Sequence, residues 1–317
     1  TVEASLEPGR ALACAQRLPS LMPGAGHLVH MPAHLYIRVG RYADATMANE
    51  HAAHTDEAFL ADHQPKGMYP FYYLHNLDFL RTAAALEGRS AEAIDAAKRL
   101  SAQVPVDMAR QVSLAEGILP SHALMLARFG RWADVLAEPL PPGDLRYATG
   151  LFRYARGLAY AGTGRWTEAR AEADSVAAIW AATPADRMVG FHGEKELLGI
   201  AHHALEGEIA LRQGHAADAV PHLEEAVRMQ DGLRYDEPPP FYYPVRQSLG
   251  AALLAAGRPA DAERIYRDDL RRNPNNGWSL YGLSQALRAQ HRDDAEVRSQ
   301  LAAAWSRADV TLASSRF

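Results

Sequence analysis

The chain has 317 residues, 48% hydrophobic and 22% charged, enough to bury a continuous core, and no uncharged apolar run approaches the roughly 18 residues needed to cross a membrane. With 33 basic against 38 acidic residues the net charge is −5, so no basic stripe is available for phosphate backbones or anionic lipids, and neither nucleic acid nor a membrane is expected as a partner. The single cysteine, Cys14, excludes a disulfide framework and a thiolate zinc site, and leaves a soluble protein whose compartment, cytoplasmic or periplasmic, is open.

In chain order, Thr1 is preceded by no initiator Met and followed by no signal-like core, which suggests a chain truncated upstream. Val2 to Leu6 reads as the end of a first helix, and the stretch through Ala11, Leu12, Ala15 and Leu18 to Pro23 as a complete second one. Residues 1–25 are thus expected to be a partial repeat, whose apolar seam calls for upstream repeats or a partner to cover it. From residue 26 to 317 a pattern recurs: Gly, usually Arg, a variable residue, a small residue, an acid and an apolar residue. It starts at Gly40, Gly88, Gly130, Gly164, Gly214 and Gly257. Each glycine suits the left-handed residue that ends a helix, and the acid falls in the first turn of the next, where the helix dipole favours it. Gly157, Gly207 and Gly250 lie seven residues before three of these turns, and Ala45, Ala93, Ala169, Ala219 and Ala262 follow five of them. Small residues at those places let two helices of a pair approach closely. Pro105 and Pro274 fall where second helices should stop. Trp278, Leu280, Leu283 and Leu287, then Leu301, Trp305 and Leu312, predict a last pair ending in a capping helix.

This pattern resembles the tetratricopeptide repeat family. The 34 residues from Gly130 to Gly164 match its unit length, and Gly250, Gly257, Ala262, Tyr266 and Pro274 follow its consensus. The resemblance implies an all-α fold, a right-handed superhelical solenoid of antiparallel helix pairs, with about six to seven pairs between residues 26 and 317. The other spacings are longer, so insertions are expected around 60–73, 101–116, 183–196 and 230–243. Two of these end alike, in Tyr69 to Tyr73 and in Pro239 to Tyr243, and their aromatics read as staples under the adjoining helix.

Histidines supply the chemistry. His27, His30 and His34 share one helical face, 13, 10 and 6 residues before Gly40; His75 and Asp78 stand 13 and 10 before Gly88. In the family such offsets point into the concave groove, so the resemblance implies that these five residues converge there, with Tyr72 and Tyr73 nearby and Glu3 approaching from the preceding helix. Two readings follow. The groove engages a peptide or protein segment through its His and Asp side chains. Alternatively, His27, His30, His34, His75, Asp78 and Glu3 supply ligands for a divalent transition metal, zinc, iron, manganese or copper, in a hydrolase or oxidoreductase. Pro32 interrupts the helix that carries the trio and is expected to kink it. His51, His54 and His63 read as solvated surface, and His122 as core-facing. His192, Glu194 and Glu196, with His202, His203, Glu206 and Glu208, form a second polar group more consistent with surface charge.

Overall fold

A computed structural model describes residues 2–63 and 69–317. It is mostly helical. A 3-10 turn at Pro8–Ala11 and two one-turn helices, α1 (Leu12–Ala15) and α2 (Leu18–Leu21), come first, and residues 3–6 form turns where the end of a helix was expected. The reason is proline: Pro8 and Pro19 lack the N–H that an interior helical position donates, so each sits at a helix start and the stretch breaks into pieces.

The main body follows as α3 (Gly26–His30), α4 (Pro32–Arg38), α5 (Tyr42–His63), α6 (Tyr69–Glu87), α7 (Ser90–Ala102), α8 (Val106–Gln111), α9 (Ser113–Ile118), α10 (Ser121–Arg128) and α11 (Trp132–Ala137). Then come α12 (Arg146–Gly162), α13 (Trp166–Ala182), α14 (Glu194–Arg212), α15 (Ala216–Asp231), α16 (Arg246–Ala255), α17 (Pro259–Arg272), α18 (Gly277–Ala289) and α19 (Ala295–Ala304). Sequence neighbours pack on one another, α5 on α6, α6 on α7, α12 on α13, α14 on α15, α16 on α17 and α17 on α18. All six turn glycines have φ between +66° and +84°, the left-handed region that a residue with a Cβ adopts at a cost.

The small residues work as their spacing predicts. Ala45, Ala93, Ala169, Ala219 and Ala262 have no exposed surface. A Cβ at Gly250 would collide with the ring of Tyr266, itself fully buried between α16 and α18. Fully buried side chains such as Leu205, Leu223 and Tyr154 carry the core, each stabilising by roughly 1.5–3 kcal/mol through lost apolar surface.

The insertions differ in form. That at 101–116 contains α8 and the first part of α9, and that at 183–196 contains a two-stranded hairpin, β1 (Met188–Val189) paired antiparallel with β2 (His192–Gly193), a small departure from the all-α expectation. Of the insertion at 60–73, residues 64–68 lie outside the described part, and Tyr69 to Tyr73 belong to α6 itself. Residues 232–245 form no helix; Phe241 and Tyr243 pack inward and are buried, whereas Tyr235 is exposed.

The chain also returns to its beginning. Trp278 on α18 donates from Nε1 to the Ala85 carbonyl of α6 at 2.8 Å. Asp309 accepts from the backbone N–H groups of Ser90 and Ala91 at 2.7 and 2.9 Å, satisfying donors that the start of α7 leaves free. Ser315 bridges the Tyr266 hydroxyl and the Gln247 carbonyl, and Phe317 lies against Phe129 and Trp278. Leu312 therefore packs from a tail beyond α19, not from a capping helix.

Candidate metal centre

Pro32 does break the first histidine helix. His30 is the last residue of α3, Met31 is the joint, and His34 lies in the first turn of α4. The break does not separate them: the two Nε2 atoms are 2.8 Å apart. His75, from the middle of α6, completes a trio, with one ring nitrogen from each residue within 4.8 Å of the others. Phe79, one turn along from His75, sets its ring against all three imidazoles at centroid distances of 4.6, 4.5 and 4.9 Å, and closes the site on the core side.

The outer nitrogens determine what the inner ones do. Asn49 of α5 donates from Nδ2 to the Ala45 carbonyl at 2.7 Å, which turns its Oδ1 towards His30 Nδ1, also at 2.7 Å. Oδ1 only accepts, so His30 carries its proton on Nδ1 and points a lone pair inward from Nε2. His34 Nδ1 lies 2.7 Å from Glu237 Oε2 and 3.0 Å from Glu3 Oε1, so it donates to carboxylate. A neutral His34 then also points a lone pair inward. Two lone pairs facing at 2.8 Å require a cation between them, a proton or a metal.

Electrostatics divides the rings. Burial holds His30 well below the ordinary imidazole range, and the neighbouring imidazoles act in the same sense. Burial also brings His75 down to about 4, against a smaller opposing pull from Asp78. For His34, burial works the same way, but the hydrogen bond to Glu237 and the charge of Glu3 overcome it and raise its affinity for a proton. Burial raises the Glu237 carboxyl. Glu3 ends below its ordinary value: burial resists ionisation, and the hydrogen bond from Glu237 and the charge of His34 outweigh it. Arg38, one turn beyond His34, secures this edge by donating to the carbonyls of Glu3 and Ser5 at 3.2 and 3.1 Å and lying 3.8 Å from Glu237 Oε1. Tyr235 donates its hydroxyl to the same Oε1.

No protein-family model matches this chain, and no curated protein does.

Of the seven residues expected to line a groove, the structure brings His30, His34 and His75 together, and Glu3 reaches His34 as expected. His27 lies outside: its ring lies tilted against that of Tyr72, centroids 4.5 Å apart, and is 6.0 Å from that of His30. Asp78 is held by Arg81 one turn along α6 and adds only its field. Tyr73 turns away altogether, is buried, and donates to Glu57 at 2.7 Å, because its position falls on the α5-facing side of α6. Glu237 is the member that sequence reading missed. It sits in the 230–243 insertion, which the repeat spacing marks as unusual, but no local motif singles it out 203 residues from His34.

Of the other histidines, three fall as expected and two do not. His51, His54 and His63 are exposed. His122 is partly buried and meets Glu138 at 3.1 Å, so it does not face the core. His192 is buried, 2.9 Å from Asp236, and therefore is not surface charge.

Proposed function

We propose that this chain is a tetratricopeptide-like, right-handed solenoid that holds a divalent transition metal at His30, His34 and His75 and acts as a metal-dependent hydrolase or oxidoreductase. The left-handed turn glycines and the close-packed small residues support the repeat reading. The metal reading rests on one observation: Asn49 and Glu237 occupy the outer nitrogens of His30 and His34, so both inner nitrogens are aimed as donors at one point. Carboxylate and amide acceptors behind imidazole ligands are the usual means of fixing their tautomer and orientation at a metal.

Three neutral imidazoles suit zinc, copper or iron, with bonds of about 2.0–2.1 Å for zinc, and three protein ligands leave a further coordination position free. A metal so held supplies a Lewis acid and an acidified water. The protein's own contribution is rigidity, since the ligands come from packed helices, and a dry core side formed by Phe79. An extended peptide held in the groove by the same side chains, the other reading, would draw on His27 and Asp78 as well, and these lie against Tyr72 and Arg81 instead of joining the trio. We therefore give the metal precedence.

Elemental mass spectrometry on untagged protein supplemented with zinc, iron, manganese or copper tests this. Near-stoichiometric metal is expected in the wild type and none in the His30→Ala, His34→Ala double variant. A wild type that retains no metal under any of the four supplements would remove the reading.

A further inference from the structure

Beside the histidine trio is a cavity of about 210 Å³ whose walls include Arg38 and Glu237 on one side and Arg128, Phe241 and Tyr242 on another. Glu237 thus belongs both to the cavity wall and to the support of His34. Most charges around this space are already spoken for. Arg246 is paired with Asp231 and Asp268, and Arg38 lies close to Glu237. Asp269 accepts from Ser279, Asn273, Asn276 and Gln247.

Arg128 is the buried exception, since Arg234, which also lines the cavity without an ion pair among the described residues, is exposed to water. It ends α10, is 6% exposed, and no carboxylate of the described residues lies within ion-pair distance of it. Among the described residues its one hydrogen bond is to the Gln247 side-chain oxygen. One face of the guanidinium is covered by the Trp278 ring at 3.6 Å, and the Tyr243 ring is 5.1 Å away. Burial brings its pKa down to about 10, with only partial relief from nearby tyrosines and Asp269. A buried cation without a counter-ion is costly, and a guanidinium has five N–H donors to satisfy. With a face blocked by stacking, the groups left are on its edge, and an edge of two parallel N–H bonds fits a planar acceptor with two oxygens.

We infer that this cavity binds an organic carboxylate with an apolar body, held edge-on by Arg128 and packed against Phe241, Tyr242 and Leu86. The size is appropriate, since an apolar cavity of about 150 Å³ already admits benzene. A single buried guanidinium without an ion pair among the described residues matches one carboxylate. The site stands independently of the metal, although a ligand in it would lie next to Glu237.

Benzoate is the probe, with benzyl alcohol as its neutral counterpart, titrated calorimetrically into the protein as purified and again after EDTA treatment. Benzoate is expected to bind in both states and benzyl alcohol far more weakly. Arg128→Met should weaken benzoate by roughly tenfold to hundredfold, the loss of a charge-assisted pair, and leave benzyl alcohol unchanged. That variant removes an unpaired buried charge, so it should fold; Leu86→Phe, which narrows the cavity and keeps the arginine, provides a second test and should also weaken benzoate. Equal binding of benzoate to wild type, Arg128→Met and Leu86→Phe, or no binding to the wild type, would overturn the inference. So would benzoate affinity that survives Arg128→Met and vanishes with EDTA, which would place the carboxylate on the metal instead.

Discussion

His30, His34 and His75 each bring a ring nitrogen within 4.8 Å of the others, whereas His202, His203 and His222 meet as neighbouring ring pairs, and the two groups also differ in what holds their outer nitrogens. In the second group, on α14 and α15, His203 and His222 meet Nδ1 to Nδ1 at 3.4 Å, His202 stacks on Trp180, and the three rings are only partly buried. The His202 Nδ1 has no partner at all among the described residues. In the first group, an amide oxygen and two carboxylates fix two tautomers and aim two lone pairs inward. The two groups thus share a density of histidine and differ in the acceptors behind the rings.

The sharpest test of that contrast is metal retention. His30→Ala with His34→Ala should abolish it, whereas His202→Ala with His203→Ala should leave the metal content of the protein unchanged. If the second pair of changes removed metal and the first did not, the assignment would be inverted.

Next in size is the support itself. Glu237→Gln keeps the shape of the side chain but allows its amide to present a donor to His34, so the tautomer is no longer imposed. Zinc affinity, measured by competition with a chromogenic chelator, should fall by about 10- to 100-fold, the usual cost of losing such a partner. An unchanged affinity would mean that Glu237 is merely a neighbour, and Glu3 would have to hold the ring alone.

These two tests also mark what could be read from sequence. The turn glycines, the close-packed alanines and the three members of the histidine trio follow from periodicity, because each depends on spacing within one helix or from a turn glycine. Tyr73 and Asp78 were misplaced for the same reason in reverse: offsets from a turn give a residue's face only to within a fraction of a turn, and here α5 and Arg81 claim those side chains. Glu237, Arg128 and the tail from Trp305 to Phe317 depend on contacts between distant segments. Local pattern carries no information on these. The broken helices before residue 26 show the remaining limit, since apolar spacing suggested helix while Pro8 and Pro19 decided where each could start.

The metal-free protein should show a third difference, in pH dependence. The folded pKa of His75 is about 4, below the ordinary 6.5, so between these values the unfolded chain takes up a proton that the folded chain refuses. The contribution of this ring is therefore full well above pH 6.5 and falls as pH falls, by about 2 kcal/mol at pH 5, and His30 acts in the same direction. His34 has the opposite sign: its raised pKa contributes stability below pH 6.5 that is lost as pH rises through its folded value. Urea midpoints of EDTA-treated protein should thus be highest near pH 6.5. In His75→Gln the acid side should flatten between pH 6.5 and 5; a slope equal to the wild type's would remove His75 as its source.

The smallest expected effect concerns the outer trio once more. His203 sits partly exposed, and burial together with His222 lowers its pKa, so near neutrality it is an uncharged ring whose one directed hydrogen bond among the described residues is the 3.4 Å contact with His222. Replacing it removes ring contacts with Trp180, His202 and His222, all at a partly exposed position. His203→Ala should change unfolding free energy by less than about 0.5 kcal/mol in urea, as for most surface positions, and by the same amount with and without added zinc. A zinc-dependent stabilisation that disappears in His203→Ala would show that the outer nitrogens need no acceptors to form a site. The distinction between the two trios would then rest on burial instead, because Phe79 closes the inner one while Trp180 leaves the outer one open to water.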